Sequence, residues 1–177
     1  MLQLVVKQGI HGTSMSQLAR ETGIGTSTIY YYFDSKLEII NEIYRMIRKD
    51  FDSVLTQKKE GKSSEEIFKT YWKNLYQYYV SNPLAFEFYE FIARPPIISQ
   101  QLIDETKAYF LSHTKYFKEE IENGSLKNMD LSLLVQLAVN TVVAAVSLKL
   151  NNTITMNKKQ LDDAVNAAWD LVRKNDT

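Results

Sequence analysis

Apolar residues recur along this chain at spacings of three and four, and sustained alternation is weak, so the pattern predicts helices throughout. Short polar breaks separate the periodic stretches, and several carry a helix-start signal. Ser14 with Gln17, Ser35 with Glu38, Ser63 with Glu66, and Asn157 with Gln160 fit the capping box, in which a side-chain oxygen takes an orphan amide and a Glu or Gln three residues on reaches back. Asp130 reads as a plain N-cap, and Asn82-Pro83 as a cap followed by a proline at the first helical position. Arg94-Pro95-Pro96 must end one helix before the next begins. The sum is an all-α chain of about nine helices, near 2–8, 15–21, 26–33, 36–59, 64–80, 83–93, 97–122, 131–150 and 158–174.

The segment from Thr13 to Lys36 carries the most specific pattern. Met15, Leu18 and Ala19 make one apolar face of a short helix; Gly23 supplies the turn and Ile24 is expected to plug the angle between helices. The next helix places Ile29 and Phe33 on one side, while Thr26, Ser27, Thr28, Tyr30 and Tyr31 fall on or near the other. One face packs and the other is free to read, which is what a helix-turn-helix needs when its second helix enters the major groove of double-stranded DNA. Small hydroxyl side chains allow close approach to base edges, and tyrosine hydroxyls reach phosphate oxygens. Lys36, beside its Ser35 cap in the first turn of the fourth helix, is expected to clamp the backbone.

This segment resembles the TetR family of bacterial transcriptional regulators. The resemblance rests on Thr13-Ser14, Leu18-Ala19, Gly23-Ile24, Thr28-Ile29-Tyr30 and the run Tyr32-Phe33-Asp34-Ser35-Lys36. It implies that Thr26, Ser27, Thr28, Tyr30 and Tyr31 contact bases or backbone and that Ser14, Tyr32 and Lys36 hold phosphate. It also implies a ligand-binding body behind a three-helix head, with the last two helices forming a homodimer as a four-helix bundle. The division expected is a DNA-binding domain at 1–45 and a ligand-binding and dimerisation domain at 46–177. Two departures stand out. The family's first helix is longer, with a basic start, whereas only Leu2 to Gln8 stand here, which should weaken head packing and DNA affinity. Gly25 replaces the usual serine cap before the reading helix, a change that costs a few tenths of a kcal/mol.

Leu131 to Leu150 is the most apolar stretch. Gln136, Asn140, Thr141, Ser147 and Lys149 interrupt it, so it reads as a buried helix covered on several sides and not as a membrane span. The last helix offers Leu161, Ala164, Val165, Ala168, Trp169 and Val172 at matching spacing, with alanines that permit close packing. A dimer through these two helices also suits a symmetric operator. Between them and the head lies an aromatic-rich region, mostly core by its spacing, in which tyrosine hydroxyls would suit an aromatic, planar or cationic effector. Trp72, Tyr76, Tyr89, Tyr109 and His113 are the candidate lining residues, because they lie near the middles of central helices. Helix four runs from Lys36 through Ile39, Ile40, Ile43, Tyr44, Ile47 and Phe51 toward this region, and is expected to act as a lever between effector and DNA.

Composition narrows the alternatives. Cysteine is absent, which excludes disulfides and thiolate metal sites and fits a cytoplasmic setting. No Gly-rich phosphate loop, serine elbow or metal-ligand spacing is present and the two histidines are isolated, so neither an enzyme nor a cofactor is expected. Net charge is zero, yet in residues 1–49 Lys7, Arg20, Lys36, Arg45, Arg48 and Lys49 outnumber Glu21, Asp34, Glu38 and Glu42. The rival reading is a helical ligand-binding or protein-interaction module without DNA binding. It leaves the pattern from Thr26 to Lys36 unexplained.

Overall fold

The computed structural model describes residues 1–55, 61–93 and 95–175, apart from the side chains of residues 55 and 110–113. Among the described residues it is all-helical: α1 Leu2–Gly12, α2 Met15–Thr22, α3 Thr26–Tyr32, α4 Lys36–Leu55, α5 Ser64–Ser81, α6 Pro83–Phe91, α7 Gln100–Thr106, α8 Leu111–Glu122, α9 Leu131–Leu150 and α10 Lys158–Val172. A 3₁₀ turn, Lys107–Phe110, joins α7 to α8.

The start signals act largely as read. Ser14, Asp130 and Asn157 each accept an amide three residues on, and complete reciprocal boxes form at Ser63/Glu66 and Asn157/Gln160. Asn82 precedes Pro83 as expected but makes no side-chain cap bond. Two elements differ from expectation. The helix expected at 97–122 divides, because Ser99 starts α7 by accepting the Leu102 amide and Thr106 ends it. The Thr106 hydroxyl, buried, donates back to the carbonyls of Leu102 and Ile103, a competition with the backbone that bends helices. In α1 the regular helix breaks at Gly9 (φ 73°, ψ 171°), a conformation essentially reserved for glycine, so the expected end near residue 8 is real and a further turn follows it. The fourth helix is described as far as Leu55, and positions 56–59 of the expected helix lie outside the described residues, as does Arg94.

Two compact units divide the chain. The first comprises Met1–Asp50 and Asn82–Ala108, and the second Phe51–Ser81 and Tyr109–Thr177. In the first, Met15, Leu18, Ala19, Ile29 and Ile39 form a core against which Met1, Leu4, Phe33 and Ile43 pack. Here α1 also packs on α6, an association that periodicity alone does not show. Arg45 of α4 adds an ion pair to Glu105 of α7 at 3.6 Å, worth little where both side chains are half exposed. In the second unit α9 packs against α5, α8 and α10. Its interior is aromatic: Phe68 meets Phe117 and Trp169, and Tyr71 meets Tyr116, mostly edge to face. Tyr116 donates its hydroxyl to the Ser64 carbonyl at 2.8 Å, while burial drives its phenol far above the ordinary range.

Candidate nucleic-acid interface

Helix α3 is capped by Gly25, which contributes its carbonyl to the amides of Thr28 and Ile29 but no side chain. Its polarity is sharply divided. Ile29 is buried, whereas Thr26, Ser27, Thr28, Tyr30, Tyr31 and Tyr32 are all exposed. Tyr31, at 82% exposure, projects opposite Ile29, and its ring meets that of Tyr32 edge-on at 5.0 Å. Hydroxyl side chains thus crowd the exposed surface of the helix. The turn before α3 works as read at Gly23, which caps α2 in the left-handed region (φ 69°). Ile24 does not plug the angle. It stays 48% exposed, because Met15, Leu18, Ala19, Ile29 and Ile39 already fill the core beneath.

Ser14 and Lys36 are tied into the head rather than standing free. The Ser14 oxygen accepts the Gln17 amide at 3.1 Å and shares a further hydrogen bond with the Ser16 hydroxyl at 3.2 Å. The Lys36 ammonium donates to the Thr13 carbonyl at 2.8 Å and to the Ile10 carbonyl, both at the end of α1. Two of the three N–H donors of this ammonium thus serve an internal tie.

The candidate effector residues are distributed over both units. Trp72 and Tyr76 on α5 stack face to face at 5.7 Å, both buried, and the Trp72 indole donates to the Thr141 hydroxyl at 2.8 Å. Burial pushes the Tyr76 phenol up. Tyr89 on α6 belongs to the first unit, where burial raises its phenol and the Arg48 guanidinium beside it opposes the rise. Tyr109 is half-buried in the 3₁₀ turn, and of His113 the side chain lies outside the described residues. Sequence reasoning did not single out an open cleft of about 410 Å³ lined by Lys62, Glu66, Lys69, Thr70, Lys73 and Asn74. Lys73 closes one side of it through a 2.7 Å ion pair to Asp162, which holds that carboxyl below the usual range.

The apolar helix α9 is covered by α5, α8 and α10 but keeps one face exposed. By length and composition it is the one described helix long and apolar enough to cross a membrane, and 28% of its most apolar window is buried. Leu134, Ala138, Val142, Ala145 and Val146 face inward. Leu133, Ala144 and Leu148 are exposed and Leu137 half-buried, at spacings that put all four on one stripe. On α10, Ala167 and Leu171 are exposed with Ala164 half-buried between the same turns.

Comparison with known proteins bears on both halves of the chain. Residues 2–43 match the family model described as bacterial regulatory proteins, tetR family, and residues 63–173 match the tetracyclin repressor-like C-terminal domain. An HTH-type transcriptional regulator of Haemophilus influenzae is 30% identical over 89 residues, 46% of this chain and 44% of that protein. One of Staphylococcus aureus is 30% identical over 84 residues, 45% of this chain and again 44% of that protein. The chain therefore spans less than half the length of these curated relatives. Among solved structures, a TetR-family transcription regulator from Marinobacter aquaeolei superposes with TM-score 0.90 at 17% identity, covering 98% of this chain and 92% of that one. FadR from Bacillus subtilis, solved with stearoyl-CoA, superposes with TM-score 0.75 at 20% identity over 96% and 92% of the two chains. Likeness at such identities speaks for the fold. The family models together span most of the chain, which belongs to the TetR family of bacterial transcriptional regulators and is not an enzyme.

Proposed function

We propose that this chain is a ligand-responsive repressor of the cytoplasm that binds a palindromic operator as a homodimer and leaves it when a small-molecule effector binds. The observation that carries the reading is α3, whose exposed surface is a row of hydroxyls over a single buried isoleucine. In this reading residues 1–45 are the DNA-binding domain and 46–177 the ligand-binding and dimerisation domain. Thr26, Ser27 and Thr28 read base edges; Tyr30 and Tyr31 reach bases or backbone; Ser14 and Tyr32 hold phosphate. The stripe on α9 and α10 meets the same stripe of a second copy and not a bilayer, giving an isologous pair whose two reading helices face successive major grooves.

For the effector, Trp72, Tyr76, Tyr109 and His113 are the candidates in the second unit, and Tyr89 beside Arg48 is one on its own account. The acyl-CoA found in FadR supports an effector-binding body in proteins of this fold. Linkage requires that an effector weaken operator binding by the factor by which operator weakens its own, commonly about 5- to 150-fold.

Selection from random-sequence duplexes, followed by footprinting and light scattering, tests the core of this reading. A selected palindrome with half-sites about one helical turn apart, bound by a dimer, is expected. A monomer on an asymmetric site would contradict it, and a dimer that selects nothing would favour a helical ligand-binding or interaction module.

A further inference from the structure

The corner between α1 and α2 is built on little. Gly9 breaks α1, and the turn after it leaves carbonyls at the C-terminal end without helical partners. Thr13, 1% exposed, repairs part of this from within: its amide donates to the Ile10 carbonyl at 3.3 Å and its hydroxyl to the Gly9 carbonyl at 2.9 Å. The remaining support arrives from α4, where the Lys36 ammonium donates to the carbonyls of Ile10 and Thr13. The placement of charge has a clear physical sense. A cation in the first turn of α4 meets the positive end of its own helix, which is unfavourable, but here it reaches the negative end of α1. Of its three N–H donors, two are engaged on main-chain carbonyls.

The carbonyl of Thr13 immediately precedes Ser14, the cap of α2, and Lys36 itself follows Ser35, whose oxygen accepts the Glu38 amide at the start of α4. One ammonium therefore ties the corner between α1 and α2 to the first turn of α4. We propose that Lys36 is a positioning residue of the DNA-binding head: through the carbonyls of Ile10 and Thr13 it fixes the α1–α2 corner against α4, and so sets where Ser14 meets the nucleic-acid backbone. This rests on the reading of the head as DNA-binding and replaces the role of a free phosphate clamp for this side chain.

The test uses the full chain and the duplex it selects, at a temperature well below its unfolding transition. Lys36→Met keeps the apolar stem and removes every donor; Lys36→Gln is equally uncharged but retains N–H donors. Operator affinity is measured across salt concentrations, and amide hydrogen exchange of residues 10–18 is followed without DNA. Lys36→Met is expected to weaken operator binding about tenfold, the scale of lost hydrogen bonds to main-chain carbonyls, with the salt slope unchanged and exchange at the corner accelerated. Lys36→Gln should recover part of both. Equal loss in the two neutral variants, with a salt slope shallower by about 0.9 per phosphate and unaltered exchange, would make Lys36 a direct clamp and overturn the proposal. Faster exchange at undiminished affinity would overturn it too, by leaving a purely structural tie. If the unaltered chain selects no duplex, the reading of the head fails first; accelerated exchange in Lys36→Met would then still separate the tie from its consequence for DNA.

Discussion

Helices α3 and α9 both present uncovered faces, and the faces are opposites. On α3 the apolar Ile29 is buried and the free surface is hydroxyl-rich; on α9 the free surface sets Leu133, Ala144 and Leu148 among Ser132, Gln136 and Asn140, while a second apolar stripe is already packed on α5, α8 and α10. A hydroxyl surface is content in water and gains from a partner only if that partner returns its hydrogen bonds, so it favours selectivity over strength. An exposed apolar stripe is favoured by about 25 cal/mol for every Å² withdrawn from water, whatever the partner, so it favours strength. Exposure alone therefore names no partner. The chemistry of the exposed face discriminates, and in the proposed function the short helix reads while the long one assembles.

The sharpest way to break this contrast is to charge the assembly face. Ala144 is exposed within the α9 stripe, so Ala144→Arg should leave the folded chain intact. A dimer would have to bury that charge twice across its two-fold axis, at a cost on the order of 3–5 kcal/mol for an uncompensated buried ion. Sedimentation or light scattering should report a monomer, with operator affinity falling in step. A dimer of undiminished strength would remove α9 from the interface.

The reading face answers to a smaller change. Thr28→Ala removes one hydroxyl from α3 and should cost about 1–3 kcal/mol at one base position of each half-site, leaving preference elsewhere intact. Repeating the duplex selection with the variant measures it directly. A uniform loss across all sequences would move Thr28 from base to backbone.

How far the chain could be read depended on how local each cause was. The caps at Ser14, Asp130 and Asn157 act within one turn, and the division of α3 follows from a four-residue spacing, so both were legible. The tie at Lys36 was not, because its partners lie 23 and 26 residues away and are main-chain carbonyls that carry no side-chain signature. The break between α7 and α8 was missed for a different reason. Thr106 fits an apolar helical pattern, and its back-bonding hydroxyl appears only once the side chain is buried. Ile24 was assigned to a core that five other residues fill. Aromatic periodicity marks interior helices without distinguishing packing from lining, and Trp72 and Tyr76 are stacked on each other.

Between the two helices of the head, the turn sets how α3 is presented. Gly23 holds φ 69°, and a Cβ placed there would meet nothing within 4 Å. The cost of Gly23→Ala is thus backbone strain alone, about 1–2 kcal/mol for a non-glycine residue in the left-handed region. Chemical denaturation should show that loss of stability. A neutral result would mean the turn relaxes to another conformation, and operator preference should then change as well.

The smallest effect sharpens the contrast from the other side, by improving α3 without touching its reading surface. Gly25 caps that helix with φ −58° and ψ 140°, angles open to any residue, and its missing side chain leaves the first amides of α3 without a side-chain acceptor. A Cβ at this position would lie 3.7 Å from the Thr28 hydroxyl and 3.8 Å from that of Ser27, ordinary contact distances that demand no rearrangement. Gly25→Ser should therefore place an oxygen where the Ser27 amide can donate to it. The gain over glycine is only a few tenths of a kcal/mol, because glycine is itself a tolerated cap. Denaturation midpoints of the two proteins, compared at equal slope, should differ in that direction. A loss of stability would instead show that the hydroxyls of Ser27 and Thr28 already occupy the space, and that the surface read as free for DNA is partly committed to its own helix.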